Sequence, residues 1–306
     1  MIFDDANIIY KAVNKAIKAS DKKRYSTQLY QVNKLLYTAM LQRDLSSGQY
    51  KPSKGNKFTL HERGKTRLIA SNTMQDKVVN HIICDEILTP SLKRYLIHDN
   101  SASQKGKGVS FHRRRFEQHL RKFKDGYILL GDFKGFYANI DHEICKKVLD
   151  YFLSRSNIDK NSLRTCKKIL DDIFETFDKG IDIGNQISQN IGIALPYKFD
   201  NFIKIKHGIK YYGRYSDDFY IIDKSREKLK NLLKELKEIA CGLGIILNEK
   251  KTKIIKLSGF FRHLQNGYSI AGTGRLIIKI NPKAVTRERR RLKAYKSLLD
   301  NGKISL

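Results

Sequence analysis

The chain has 306 residues, and its 60 lysines and arginines against 31 acidic residues give a formal net charge of +29. That surplus points to an anionic partner, most naturally a nucleic-acid duplex, and predicts binding that weakens steeply with salt. A membrane span, a secreted disulfide framework and a zinc ribbon are not expected, because no run of about 18 apolar residues, no signal-like start and no fitting cysteine spacing is present.

In chain order, residues 6 to 50 predict one or two helices, with polar breaks at Ser20 to Lys23 and at Ser46-Ser47-Gly48. Phe58 to Ile69 reads as a hairpin turning near Gly64, and strand alternation puts Lys65 and Arg67 on one face. By itself this is a solvated basic turn. Ser103-Gln104-Lys105-Gly106-Lys107-Gly108 is a Gly/Lys loop before a basic helix, Phe111 to Phe123, and its spacing is not that of a P-loop. Tyr127-Ile128-Leu129-Leu130-Gly131-Asp132-Phe133 is a short apolar run ending in an acid, the way a buried strand delivers a carboxylate to a site.

Helices are predicted at 142–153, 160–176 and 225–242, the last with Leu229, Leu232, Leu233, Leu236 and Ile239 on one face. Between the second and third lies Gly180 to Gln189. Gly184 there allows close backbone approach to a base pair, and Asn185, Gln186, Ser188 and Gln189 offer donors and acceptors. The same stretch also reads as a glycine loop capped by Asn or Ser, with Pro196 ending or kinking the helix that follows.

Tyr215-Ser216-Asp217-Asp218 sits between Ile209-Lys210-Tyr211-Tyr212 and Phe219-Tyr220-Ile221-Ile222, a strand–turn–strand pattern with Ser216, Asp217 and Asp218 at the tip. Alone, an acidic turn is ordinary, because Asp bonds its own backbone there. A second carboxylate in a similar setting, Asp132, changes the reading. Asp132 and the 217/218 pair are expected to meet and share hard dications, for which Mg²⁺ is the fitting ion.

These blocks together resemble a bacterial reverse transcriptase. Tyr215-Ser216-Asp217-Asp218 resembles the Tyr-x-Asp-Asp palm hairpin of that family. Asp132-Phe133-Lys134-Gly135-Phe136-Tyr137-Ala138-Asn139-Ile140-Asp141-His142 resembles its first catalytic block, with Ala138 in place of an acid often found there. Gly180 to Gln189 contains Ile-Gly-x-x-x-Ser-Gln, which resembles the enzymes of diversity-generating retroelements; Asp182 stands where Pro is frequent. Gly244 to Lys253 and Leu257-Ser258-Gly259-Phe260 resemble the next block and the primer-gripping hairpin. The resemblance runs from about residue 50 to about residue 295, in order.

The resemblance implies an α+β right-hand polymerase with fingers, an antiparallel palm sheet and a short helical thumb. Its divisions are a helical extension at 1–50, fingers at 51–125, palm at 126–262 with fingers segments near 142–185, and connection and thumb at 263–306. It implies RNA-directed DNA synthesis by two Mg²⁺, with Mn²⁺ as a substitute. Asp132, Asp217 and Asp218 are then catalytic and, with Phe133, hold metal. Lys65, Arg67, Tyr137, Gln186 and Lys251 contact the nucleotide, Tyr137 as the residue that excludes a ribose 2′-hydroxyl. Gly184, Asn185, Ser188, Gln189, Tyr215, Lys105, Lys107, Gly259, Arg289 and Arg290 contact template or primer. His142 is a structural hydrogen-bonding residue.

The implied partners are a structured template RNA or noncoding RNA, an RNA–DNA duplex, dNTPs, and an accessory protein or second subunit, in a bacterial cytoplasm and with no membrane. Thr286 to Tyr295 begins a basic helix resembling the start of a thumb, and the sequence ends at Leu306. The retroelement reading stands first. An antiphage defence enzyme copying an associated noncoding RNA is the alternative, intron mobility comes third, and a catalytically idle RNA-binding protein represents another class.

Overall fold

The structure, a computed structural model, describes residues 1–62 and 64–304, with the side chains at 62, 65, 67 and 68 outside the described set. Three helices open the chain: α1 (Ala6–Ala19), α2 (Tyr25–Val32) and α3 (Lys34–Ser46). One or two were expected. The additional break falls at Asn33, whose side-chain amide and main-chain N–H both donate back to the Leu29 carbonyl. That local bond competes with helix continuation. α1 buries Ile9, Val13, Ala16 and Ile17 against its neighbours α3 and α4 (Met74–Ile82).

Strands β1 (Asn56–Glu62) and β2 (Lys65–Ser71) form the expected hairpin, with Glu62 opposite Lys65 and Gly64 at φ +73° in the turn. α4 starts on a reciprocal capping box between Thr73 and Asp76. It runs on through wide turns at Ile83–Leu88 into α5 (Thr89–Lys93). The basic helix is α6 (Val109–Leu120).

The central sheet has the order β4-β5-β3-β6, from β3 (Tyr127–Asp132), β4 (Tyr212–Tyr215), β5 (Asp218–Asp223) and β6 (Lys253–Lys256), and every pair is antiparallel. Both faces of β3 are covered, so its sequence is a continuous apolar run and not an alternation. Leu129 packs into the larger core with Phe133, Phe219 and Ile221. Ile128 points the other way, with Tyr220 and Ile222, onto Phe116 and Leu120 of α6. Gly131 admits the Phe219 ring across the sheet, since a Cβ there would lie 2.1 Å from it.

On the larger core lie α7 (His142–Leu153), α8 (Lys160–Glu175), α9 (Gln186–Ala194), α10 (Tyr197–Asn201) and α11 (Arg226–Gly242). The predicted helices at 142–153, 160–176 and 225–242 match α7, α8 and α11 to within a residue at each end. α9 stops at Ala194 and Pro196 opens α10, as the proline requires. A second antiparallel sheet, β7 (Phe261–His263), β8 (Asn266–Ile270) and β9 (Leu276–Ile280), covers the smaller core. The chain closes with α12 (Pro282–Asp300), which buries none of its residues.

Candidate active site

β4 and β5 turn through two residues, with Tyr215 paired to Asp218. Asp218 therefore opens β5, and the tip is Ser216-Asp217, one residue shorter than the sequence suggested. Ser216 takes φ +56°, which is uncommon for a residue with a Cβ and is stored strain at the tip. On the other side of β5, Asp132 is the register partner of Asp218, and the Phe133 N–H donates to the Asp217 carbonyl at 3.1 Å. Three carboxylate-bearing positions, up to 86 residues apart in the sequence, are thus brought to one end of the sheet by strand pairing.

Asp132 is buried and its two oxygens are engaged: Oδ1 accepts from Asn248 Nδ2 at 2.8 Å and Oδ2 from Lys251 Nζ at 2.6 Å. Segment 246–248 reaches it through the Asn248 N–H to the Asp132 carbonyl and the Lys134 N–H to the Ile246 carbonyl. The Phe133 carbonyl takes no part in that bridge. The hydrogen bond that Lys251 donates to Asp132, aided by the charges of Asp132, Asp218 and Asp217, holds the Lys251 ammonium above its ordinary pKa. A donor set of hard oxygens that draws one cation from three acids fits a dication such as Mg²⁺. Among the described residues, however, no three His, Cys, Asp or Glu side chains are gathered tightly enough to hold a metal as they stand. The Asp132 carboxylate is engaged by Asn248 and Lys251.

Tyr137 stands beside the hairpin, its hydroxyl 3.3 Å from Ser216 Oγ. Its ring packs against α9, where a Cβ on Gly192 would come within 2.6 Å of the hydroxyl. Burial pushes the Tyr137 phenol up, so it stays protonated at neutral pH. Its carbonyl accepts from the Ile181 N–H at 2.9 Å, and His142 Nε2 lies 2.6 Å from the Gly180 carbonyl, the structural role expected of that histidine.

Sequence reasoning missed Arg214. It is fully buried and all five guanidinium hydrogens are used. Two go to Asp200, at 2.8 and 2.7 Å, and three go to the carbonyls of Ser216, Ile193 and Gly192 at 2.8, 3.0 and 3.5 Å. One side chain therefore ties the hairpin tip to α9 and α10. A single Arg within an otherwise aromatic strand, Tyr211-Tyr212-Gly213-Arg214-Tyr215, was the available signal, since such a charge needs a buried carboxylate. Asn248 was also missed.

The other expected residues divide. Asn185 caps α9, its side chain accepting from the Ser188 N–H at 2.6 Å, so its oxygen serves the helix. Ser188 is buried, against the expectation of template contact. Gln186 donates to Asp85 Oδ1 at 3.0 Å and shares a cavity with Gly184 and Gln189. The Lys107 ammonium bonds the carbonyls of His98 and Asn100 at 2.8 and 3.0 Å, stapling its own loop, whereas Lys105 is exposed. Tyr215 meets His112 edge-on at 5.6 Å, Gly259 lies in the turn between β6 and β7, and Arg289 and Arg290 are exposed on α12. The backbones of Lys65 and Arg67 stand on β2, but their side chains lie outside the described residues.

Solved telomerases share this architecture. The apo telomerase of Candida tropicalis truncated from its C-terminal domain superposes with a TM-score of 0.54 at 16% identity, over 74% of this chain and 54% of that one. Telomerase of Candida albicans in complex with a TWJ fragment of telomeric RNA gives 0.56 at 12%, over 74% and 45%. At such identity the likeness is one of fold, and the chain spans about half the length of these structures. No curated protein matches it. The arrangement is that of a reverse-transcriptase fingers and palm. Residues 50–265 match the family described as reverse transcriptase (RNA-dependent DNA polymerase), and the chain belongs to that family.

Proposed function

We propose that this chain is an RNA-directed DNA polymerase that extends a primer on an RNA template. The carrying observation is the register of Asp132 with Asp218 beside the Ser216-Asp217 turn, which sets three acids at one sheet end next to Tyr137. Asp132, Asp217, Asp218 and the Phe133 carbonyl would hold two Mg²⁺, which supply charge stabilisation to the attacking 3′-oxygen and to the pyrophosphate leaving oxygens. Lys251 releases Asp132 and turns its ammonium to the triphosphate, a move its exposed position permits. Tyr137, backed by Gly192, fills the space a ribose 2′-hydroxyl requires.

The biological setting within this proposal is a bacterial diversity-generating retroelement, supported by Ile183-Gly184 and Ser188-Gln189 in their spacing. A structured RNA and an accessory protein or second subunit belong to the same reading, in the cytoplasm. Primer extension on poly(rA) with oligo(dT), Mg²⁺ and dTTP tests the chemistry, comparing the wild type with Asp217→Asn. Extension by the wild type alone is expected. Equal extension by both removes the assignment of the acids, and tight duplex binding without extension by either favours an RNA-binding protein.

A further inference from the structure

We propose that Asn248 is a positioning residue for Asp132, its amide holding that carboxylate ready for a dication, and that Lys251 is a resting cation which the dication displaces. The inference rests on the polymerase reading for the identity of the metal site. Both side chains come from one turn, in which the Asn248 carbonyl accepts the N–H groups of Lys251 and Thr252 at 3.1 and 2.8 Å. The turn brings two donors, three residues apart in sequence, onto the two oxygens of a single buried carboxylate.

The two donors are held differently. Asn248 is fixed by its main chain, whose N–H donates to the Asp132 carbonyl at 2.8 Å, and by the antiparallel bridge of Leu247 to Phe133 just before it. Its side chain is therefore not needed to join the segment to β3, yet Nδ2 donates to Asp132 Oδ1 at 2.8 Å. An amide oxygen in that place would face a carboxylate oxygen, so the nitrogen is the atom that fits. A carboxylate with one oxygen held in this way keeps its orientation when the other oxygen changes partner, and such outer partners set the affinity of a metal ligand. Lys251 is on a longer tether. Its side chain is 56% exposed, and its ammonium places one positive charge 2.6 Å from Oδ2. An exposed ammonium moves into water at small cost, and it cannot share that oxygen with a dication because like charges repel. The two residues therefore act on metal affinity in opposite directions from one carboxylate.

The test is Mn²⁺ binding to the protein alone, without primer, template or nucleotide, followed by the electron paramagnetic resonance signal of the free ion. Asn248→Leu keeps the bulk of the side chain and removes the donor, and it is expected to weaken binding about tenfold or more. Lys251→Met is expected to tighten binding about threefold or more, a gain that no folding defect can produce. Lys250→Met removes the same charge from an exposed neighbour and should tighten it less. Primer extension gives a second readout, since the Asn248→Leu defect should shrink as Mg²⁺ is raised, which a damaged fold would not allow. Unchanged Mn²⁺ affinity in Asn248→Leu overturns the positioning role. Equal gains from Lys250→Met and Lys251→Met overturn the displacement. Either result, beside primer extension by the wild type, leaves the polymerase reading intact. If the variants shift Mn²⁺ affinity in opposite directions but the wild type never extends a primer, the inference stands and the polymerase reading fails.

Discussion

Arg214 and Asp200 carry the strongest consequence at the scale of single residues. Both are at most 1% exposed, so removing one leaves the other as an uncompensated buried charge. Arg214→Met should destabilise the protein by about 3–5 kcal/mol in urea unfolding. Pairing it with Asp200→Leu should recover much of that stability. Activity should stay low in the double variant, because the carbonyls of Ser216, Ile193 and Gly192 lose their shared donor. Full activity there would show that the hairpin tip needs no such tie. Tyr137 yields a separate expectation. Tyr137→Ala opens the space beside Gly192 and should let ribonucleotides be incorporated, measured as the ratio of kcat/KM for UTP and dTTP; an unchanged ratio means that another residue excludes the hydroxyl.

At the scale of elements, α9 and the central hairpin are placed by local devices. Asn185→Ala removes the cap of α9 and should cost about 1 kcal/mol, read as a lower midpoint in urea at unchanged slope. Asn185→Asp retains an acceptor and should lose little. The sheet tolerates less. Gly131→Ala drives a methyl into the Phe219 ring, an overpacking that should cost about 1–3 kcal/mol or more and disturb Asp132 next to it. α12 behaves differently, since none of its residues is buried. Substitutions of Arg289 and Arg290 should leave urea stability unchanged and lower duplex affinity with a shallower salt slope.

For the whole molecule, three histidines join the smaller core to the face of the palm. His112 and His263 contact through Nε2 at 2.8 Å, and His119 lies 3.0 Å from the Tyr220 hydroxyl. Burial lowers all three, His112 and His119 to about 4 although Asp99 opposes the shift at those two, while His112 adds to the lowering of His263. Arg115 and Lys204 add positive charge around His119 and offset that opposition. A histidine whose folded pKa is depressed binds its proton more readily in the unfolded chain. Stability is therefore full above about pH 6.5 and should fall as the pH drops toward 4. Asp99 is held down to about 2, so its contribution goes later, below about pH 4. Urea titrations between pH 7 and 4.5 should show the first loss, and His263→Phe should flatten it.

Local pattern in the chain was enough to mark the candidate acids at a strand end and a turn. Hydrophobic period and turn residues placed the β1–β2 hairpin, the strand ending at Asp132, α7, α8 and α11, because burial and backbone freedom are local properties of the chain. The order of its blocks indicated the family. Tertiary structure alone decided the rest. The pairing of Asp132 with Asp218 is set by strand register, across 86 residues, which no local pattern encodes. Lys251 on Asp132, Lys107 folded onto its own loop, Ser188 turned inward and Arg214 beneath the hairpin all depend on which partner a long or polar side chain meets once the core has closed. A charge is read easily in a sequence, but its partner is fixed only by the packing that removes water from both.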